Sequence, residues 1–395
     1  MRIVHVSDCY LPRLGGIELQ VHDLARRQSE AGHDVSILTT TAGPSSIDVV
    51  AGPSSVDVVA GPVDVIRVGR GPKESIRYRS AAAGATRLTR TLDQFDLVHA
   101  HTSSFSPLTF LCAHHAARRG TPTVATVHSL WAKATPLFSA FDVFTRWGSW
   151  PVTWSAVSNA AAASIRGIVG DRAEVTILPN GVDPSEWTAR TDLATAPEAL
   201  RLVAVSRLAR RKRILQLVEI LQVVRDQLPE SVRLEVQILG EGPQRPDIER
   251  YLHRHDMGEW VHLQGRRSRA EIADVLAGSH LFVAPATLES FGIAALEARC
   301  AGLPIVARAG TGVEDFVVDG REGWLVRSDA AMIDTIVSLA RTPDVLAGVA
   351  AHNRSTPASI SWTGVLGTCE DLYRKASARH GRDWVSVGVP QLATQ

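Results

Sequence analysis

The sequence predicts an α/β protein made of two doubly wound domains, and three observations carry that prediction. Short β-branched runs alternate with longer amphipathic ones, the pattern of parallel sheets covered on both faces by helices. The alternation breaks once, at the polar stretch Asp183–Ala199 with its Pro184 and Pro197, and then resumes. The length, 395 residues, suits two domains of ordinary size better than one.

In chain order, Arg2–Ser7, Val35–Thr40, Val63–Val68, Leu97–His101, Thr123–His128, Thr153–Ser158 and Val175–Leu178 read as buried strands. Helical patterns at Ile17–Ala31, Pro107–Arg119 and Asn159–Val169 lie between several of them. After the polar stretch the strands are Arg201–Val205, Arg233–Leu239, Val261–Leu263, Leu281–Ala284, Pro304–Ala307 and Gly323–Val326. Helices include Ile214–Gln227, Arg269–Ala277 and Ser290–Ala301. The division expected is a domain over 1–185, a second over 186–360, a helix over 361–379 packing back toward the first domain, and a patternless tail over 380–395. Two such domains bind ligands at the carboxyl ends of their strands, in a cleft between them.

Composition excludes several classes. Lys plus Arg (42) nearly cancels Asp plus Glu (41), which leaves no electrostatic footprint for nucleic acid. The apolar runs are far shorter than the roughly 20 residues that cross a bilayer, and the one at Met1 is broken at Asp8, too soon for a signal peptide. Cys9, Cys112, Cys300 and Cys369 lie far apart without metal-type spacing, which suits reduced thiols in a cytosol.

Several turns carry chemistry. Pro12-Arg13-Leu14-Gly15-Gly16-Ile17-Glu18 leads from a strand into a helix, where paired glycines admit a ligand and unpaired N–H groups face an anion, although such a turn is as readily a tight connection. Past the strand ending at Val205, Arg207, Arg210, Arg211, Lys212 and Arg213 put five cations within seven residues. A solvated helix start is the bland reading of that run; cations at a helix N-terminus oppose the dipole unless an anion sits between them. Arg207 could clamp phosphate oxygens, with Lys212 as a point charge. Gly240-Glu241-Gly242-Pro243 leaves room for a flat ring or ribose. Glu289-Ser290-Phe291-Gly292-Ile293 opens an apolar helix containing Glu297, eight residues beyond Glu289.

Taken in order, these strings resemble glycosyltransferase family 4, the retaining, nucleotide-sugar-dependent enzymes of GT-B fold. The resemblance runs from Met1 to about Val326. It includes Gly15-Gly16, Thr126-Val127-His128, Ser158, Leu178-Pro179-Asn180-Gly181-Val182-Asp183, Arg207-Leu208 with Lys212, Gly240-Glu241-Gly242-Pro243, Glu289 with Glu297, Gly302-Leu303-Pro304-Ile305-Val306 and Gly320-Arg321-Glu322-Gly323. It implies two Rossmann-like domains facing a central cleft, the first binding the acceptor and the second the nucleotide sugar. Arg207 and Lys212 then hold the donor diphosphate, Glu297 the ribose hydroxyls, and Glu289 the sugar hydroxyls. The amides near Phe291, Gly292 and Ile293 line sugar and phosphates, Gly240 and Gly242 lie beside the base, Gly15 and Gly16 approach the phosphates, and His128 reaches the reacting sugar. The reaction implied moves a hexosyl or N-acetylhexosaminyl group from a UDP- or GDP-linked sugar to a hydroxyl, without cofactor or metal, by a front-face route. A sugar-phosphate synthase or phosphorylase, or a non-catalytic nucleotide or glycan binder, is the alternative on the same fold.

Some positions stay open. His128 ends an apolar strand, where a histidine is often a hydrogen-bonded core residue, and its Thr-Val-His context favours function. Asp8 either caps a turn or touches the acceptor. His99 and His101 share a strand face and could form a metal pair, but they lack a third ligand. Asn180 and Asp183 read as turn residues. Two departures from the family pattern are Arg213, where glycine is usual, and Ser129, where an acidic residue is common. Trp131, Phe138, Phe141, Phe144, Trp147, Trp150 and Trp154 crowd one stretch, with Phe141, Phe144 and Trp147 spaced for one helical face. They read either as core or, beginning with Trp131, as a contact for a sugar or lipid-linked acceptor. A cytoplasmic protein, peripheral at the inner membrane face if its acceptor is a lipid, is the expected setting. Finally, Ala42–Val50 recurs as Ala51–Val59, differing at Ile47 and Val56. It is too short for a solenoid and reads as a duplicated loop without function, an acceptor-side flap being the alternative.

Overall fold

In a computed structural model, residues 1–13, 15–51, 56–68, 88–131, 135–187, 199–382 and 384 are described. The chain divides into two compact units, one of Met1–Val50, Asp57–Gly181 and Trp362–Gln395, the other of Ala51–Val56 and Val182–Ser361. Helices named below are α1 Gly16–Glu30, α2 Pro107–Arg118, α3 Thr135–Thr145, α4 Asn159–Val169, α5 Ile214–Gln227, α6 Arg245–Arg254, α7 Arg269–Ala277, α8 Ile293–Cys300, α9 Asp329–Arg341, α10 Pro343–Ser355 and α11 Trp362–Ala378.

The first unit is built on a sheet of order β3-β4-β2-β1-β5-β6-β7-β8. Its strands are β1 Arg2–Ser7, β2 Asp34–Thr39, β3 Ser46–Ala51, β4 Val56–Arg67, β5 Leu97–Thr102, β6 Thr123–Val127, β7 Thr153–Ala156 and β8 Val175–Ile177. From β4 to β8 all the pairings are parallel. β1 and β5 are buried almost throughout, as strands covered on both faces must be. The chain leaves β1 first to β2 on one side and later to β5 on the other, so the topological switch point lies between β1 and β5.

α11 belongs to this unit. Trp362 lies so close to Gly181 that a Cβ there would fall 2.4 Å from the indole Cδ2. Arg27 caps the same ring at 4.9 Å, and Gln20 donates to the Gly181 carbonyl at 3.0 Å. Expectations about the tail fall mostly outside the described residues, as does most of the linker beyond Trp187.

The second unit holds β9 Ala199–Val205, β10 Arg233–Leu239, β11 Val261–Gly265, β12 Leu281–Ala284, β13 Ile305–Arg308 and β14 Gly323–Val326, in the order β11-β10-β9-β12-β13-β14. All its pairings are parallel, and the order is that of a dinucleotide-binding sheet with its switch point between β9 and β12. Leu202, Ala204, Val236, Ile238, Leu281 and Val283 meet the buried faces of α5 and α9 in one apolar core.

Three readings need correction. The duplicated segment is not simply a loop, because its two copies supply β3 and the first part of β4 at the edge of the first sheet; residues 52–55 between them lie outside the description. The helix expected from Ser290 starts at Ile293, because Gly292 at φ +88° is its N-cap. Phe141, Phe144 and Trp147 do not share a face. Helix α3 ends at Thr145, Arg146 turns left-handed at φ 50°, and Trp147 swings into the core while Phe144 stays 87% exposed.

Candidate active site

The second unit gathers its charged groups where the topology predicts, past the carboxyl ends of β9 and β12. The loop after β9 is laced to the loop after β10: Ser206 N donates to the Leu239 carbonyl, Leu208 N to that of Glu241, and Gln244 N to that of Leu208, each at 3.0 Å. This lacing explains the glycines. A Cβ on Gly240, at φ +131°, would fall 1.9 Å from the Ser206 carbonyl oxygen, and one on Gly242 would fall 2.4 Å from that of Leu208. Both are small so that two backbones can touch, a requirement separate from any space left for a base.

The basic run divides by function. Lys212 Nζ is ion-paired to the Glu289 carboxylate, joining the loops after β9 and β12. Arg213 sits at φ 59°, ψ 33°, which accounts for the glycine usual there, and its guanidinium binds Asp329 Oδ2 at 2.5 Å on the first turn of α9. Arg308 reaches the other Asp329 oxygen at 3.2 Å. Arg207 is exposed, and its guanidinium has no ion pair or hydrogen bond among the described residues. Arg210 and Arg211 are exposed in the same way.

After β12, the Glu289-Ser290-Phe291-Gly292 turn packs on the segment at Gly312. Gly312 N donates to the Glu289 carbonyl at 2.9 Å, and a Cβ there would lie 2.2 Å from the Ser290 oxygen. Phe291 is buried against Phe316, with ring centres 5.6 Å apart. The turn therefore aims the N-terminus of α8 from a fixed base, with half-buried Ile293 opening the helix and half-buried Glu297 one turn along it. One carboxylate, one paired ammonium, one free guanidinium and a helix N-terminus suit a doubly charged phosphate with a polar group beyond it.

The first unit arranges its candidates around the β1/β5 switch point. Gly15 is the N-cap of α1, and the Glu18 carboxylate folds over it, pairing with Arg13 at 3.3 Å. No sequence pattern singles out Glu18, yet its carboxylate lies against the Gly15 turn. Asp8 spends both oxygens on α2: Leu108 N and Thr109 N donate at 3.0 Å and Thr109 Oγ1 at 2.6 Å, so it acts as a cap supplied from another loop. That geometry favours capping over an acceptor contact. Trp131 is fully buried, stacked on Phe138 with ring centres 4.1 Å apart and edge-on to Trp147. The core reading holds for it, since no face of the indole is left for an acceptor. Asp183 closes a local turn, accepting from Ser185 N at 3.1 Å and Oγ at 2.7 Å.

His128 follows β6, is 7% exposed, and approaches His101 Nδ1 at 3.0 Å through Nε2. Burial pushes it down to about 4, so it is neutral at pH 7. The third histidine missing from the His99/His101 pair is His5, on β1; ligand atoms of the three lie within 4.8 Å. All six of their ring nitrogens already have hydrogen-bond partners, the arrangement of a bonded network and not of a ligand set. His5, Gln28 and Tyr373, which complete it, come from three distant segments, and no local spacing in the chain marks them.

Two doubly wound parallel sheets, with phosphate-suited charges at the switch point of the second, define a glycosyltransferase of GT-B fold. The profile described as Glycosyltransferase Family 4 matches residues 14–186, and that described as Glycosyl transferases group 1 matches residues 199–342. The chain belongs to the family 4 glycosyltransferases.

Among its relatives, D-inositol 3-phosphate glycosyltransferase of Xylanimonas cellulosilytica is 28% identical over 421 residues, covering 96% of this chain and 97% of its own. One phosphatidylinositol N-acetylglucosaminyltransferase subunit of Homo sapiens is 27% identical over 327 residues, 80% of this chain; the match spans just 63% of that relative. Among solved structures, sucrose-phosphate synthase from Thermosynechococcus elongatus superimposes with TM-score 0.72 at 19% identity, covering 95% of this chain and 99% of that one. Anabaena Alr3699/HepE in complex with UDP and glucose gives 0.72 at 18% identity, with 93% and 98% covered. Among the described residues no helix is long and apolar enough to cross a membrane.

Proposed function

We propose that the chain transfers a hexosyl or N-acetylhexosaminyl group from a nucleoside-diphosphate sugar to an acceptor hydroxyl, with retention and without a metal ion. The observation that carries this reading is the Lys212–Glu289 pair at the β9/β12 switch point, in a loop that also carries the exposed Arg207, without a side-chain partner among the described residues. Breaking a sugar–phosphate bond builds negative charge on the diphosphate and positive charge at the anomeric carbon. Arg207, Lys212 and the N-terminus of α8 answer the first, acting on charge as it develops. Glu289 answers the sugar side, Glu297 the ribose, and His128 a hydroxyl of the reacting sugar. No carboxylate is assigned as a covalent nucleophile, so the departing phosphate takes the acceptor proton on the same face. UDP is favoured over GDP because the structural neighbour from Anabaena is described with UDP and with UDP-glucose.

The acceptor is read as a hydroxyl carried on a lipid, ahead of a soluble glycan or small molecule. Val143 and Phe144 on α3 are 76% and 87% exposed, and Phe105, just before α2, is 82% exposed. Phe110 and Phe141 join the two helices edge to face at 6.4 Å. Relatives named for phosphatidylinositol and diacylglycerol point the same way.

Calorimetric titration with UDP and GDP, first without metal and then with Mg²⁺, tests the donor site. Metal-independent binding of UDP supports it, and absence of binding by either nucleotide counts against it. Release of free UDP, as against a sugar phosphate, on turnover separates transfer from phosphorolysis.

A further inference from the structure

The first unit buries an unusual amount of polarity behind His128. Gln28 on α1 is 2% exposed, and its amide oxygen lies 2.7 Å from His5 Nε2. His5 Nδ1 lies 2.9 Å from His101 Nε2, and His101 Nδ1 lies 3.0 Å from His128 Nε2. His128 Nδ1 is buried and has no hydrogen-bond partner among the described residues. The chain thus runs from one amide, through two imidazoles, to a third whose far nitrogen is bare.

A neutral imidazole has one donor and one acceptor nitrogen, so a hydrogen bond imposed at one side dictates the proton on the other. Burial keeps these rings neutral: His5 and His128 are pushed down to about 4, and His99 and His101 lie well below their ordinary value. An amide oxygen can only accept, so His5 carries its proton on Nε2 and offers Nδ1 as acceptor. His101 then carries its proton on Nε2, and so does His128.

The Gln28 amide is oriented from its other side, where its nitrogen donates to Tyr373 Oη at 2.9 Å. Tyr373 is free to pass its own proton on to His99 Nδ1 at 2.8 Å, and His99 Nε2 lies 2.7 Å from Thr126 Oγ1. The hydroxyls beyond end on a group that can only accept: Ser155 Oγ lies 2.7 Å from Thr126 Oγ1 and donates to the Ala125 carbonyl at 3.5 Å.

We infer that Gln28, His5 and His101 are positioning residues that lock His128 in its Nε2–H tautomer, with Nδ1 presented as the hydrogen-bond acceptor for a hydroxyl of the reacting sugar. The use of that acceptor rests on the transferase reading above; the tautomer does not. A lone buried histidine would divide between its two tautomers, and each molecule with the proton on Nδ1 would offer the hydroxyl a second donor in place of an acceptor. The network removes that population before substrate arrives. α11, far along the sequence, takes part through Tyr373, which links the amide at the head of the chain to His99.

The test is the tautomer itself. In full-length protein labelled with ¹⁵N-histidine, two-bond proton–nitrogen spectra at pH 7 distinguish protonated from bare ring nitrogens, with His128 assigned by the signal lost in His128→Gln. The expected result is a protonated Nε2 and an unprotonated Nδ1. A protonated Nδ1, or an even mixture, in the wild type overturns the proposal whatever any variant does.

Gln28→Leu removes the acceptor at the head and is expected to mix the His128 tautomers and lower kcat about ten-fold, with the donor KM within two-fold. Gln28→Glu, which still accepts from His5, is expected to restore the single tautomer. Tyr373→Phe, which keeps the packing and loosens the amide, serves if Gln28→Leu does not fold and is expected to mix the tautomers in the same way. An unchanged His128 tautomer in a folded Gln28→Leu or Tyr373→Phe variant refutes the relay. The expected tautomer in a protein that transfers no sugar would instead leave the relay standing and overturn the transferase reading.

Discussion

Glu289→Gln separates the two tasks assigned to the Lys212–Glu289 pair. In the structure the ammonium is held by the carboxylate, the two side chains keeping 19% and 17% of their surface. On the proposed reading, an incoming diphosphate has to draw Lys212 away from that partner. Coulomb's law gives ~4 kcal/mol for unit charges 4 Å apart at an effective dielectric of 20, but solvent screening and side-chain entropy reduce such a pair to about 1 kcal/mol. Neutralising Glu289 releases the lysine and removes a negative charge from the path of the phosphates. Free UDP is therefore expected to bind about five-fold more tightly, the equivalent of ~1 kcal/mol. Turnover is expected to move the other way. On the proposed reading the carboxylate faces the charge developing at the anomeric carbon, and its loss is expected to lower kcat by about 10²- to 10³-fold. Calorimetry with UDP and initial rates of UDP release from the nucleotide sugar measure the two arms on one preparation. Weaker UDP binding, or a kcat within three-fold of wild type, would refute the division of labour between these residues.

Arg207→Ala is expected to leave stability within about 0.5 kcal/mol, since the exposed side chain holds nothing else in the fold, while kcat/KM for the donor falls about 10- to 200-fold from loss of a charged phosphate contact. Wild-type turnover there would remove the phosphate assignment. Gly240→Ala is expected to destabilise the second unit by about 3 kcal/mol, because its Cβ meets the Ser206 oxygen at 1.9 Å at φ +131°; thermal unfolding reads this directly. Acid should weaken the first unit. His5 and His128 have folded values near 4 against an ordinary 6.5, so between those limits the unfolded chain binds more protons and stability falls as pH falls. Each contributes about 2 kcal/mol of loss by pH 5, and calorimetric scans from pH 7 to 5 should show that unit's transition dropping first. Initial rates in excess EDTA should match those in Mg²⁺, and a chelator-sensitive rate would overturn the metal-free reading.

The parallel strands were legible as short β-branched apolar runs, interrupted in β1 and β5 by histidines, and in β10 by alternation, where buried Leu234, Val236 and Ile238 are separated by half-buried Glu235 and Gln237. The loops after β9 and β12 were legible because charged residues and glycines cluster there against the grain of their apolar surroundings. Three-dimensional partners were not. Gly240 and Gly242 looked like room for a ligand, whereas each is required by a backbone oxygen of the neighbouring loop. The aromatic stretch around Trp131 could be read as surface or core, since composition does not say which face a ring takes; Arg146, turning left-handed, sends Phe144 outward and Trp147 inward. The network behind His128 was the least legible part, because β1, α1, β5, β6 and α11 each contribute one or two polar residues that look unremarkable alone.

Arg213 shows how a departure from the family pattern can leave the chemistry intact. The left-handed backbone at this position costs a non-glycine residue about 1 kcal/mol, which is why glycine is usual. The arginine offsets that strain in two ways. Its half-exposed ion pair with Asp329 supplies up to about 1 kcal/mol, and it avoids the extra unfolded-state entropy of a glycine, a further ~0.5–1 kcal/mol. The terms close near zero, so the exchange is tolerated. The direction of the side chain decides its consequence. Because Arg213 is turned to α9 and shares Asp329 with Arg308, it adds no competing cation beside Lys212. Of the five cations in seven residues, Lys212 is paired with Glu289 and Arg213 is turned to Asp329, while Arg207, Arg210 and Arg211 are exposed without a side-chain partner among the described residues. On the proposed reading Arg207, nearest in sequence to the end of β9, is the one a diphosphate would engage.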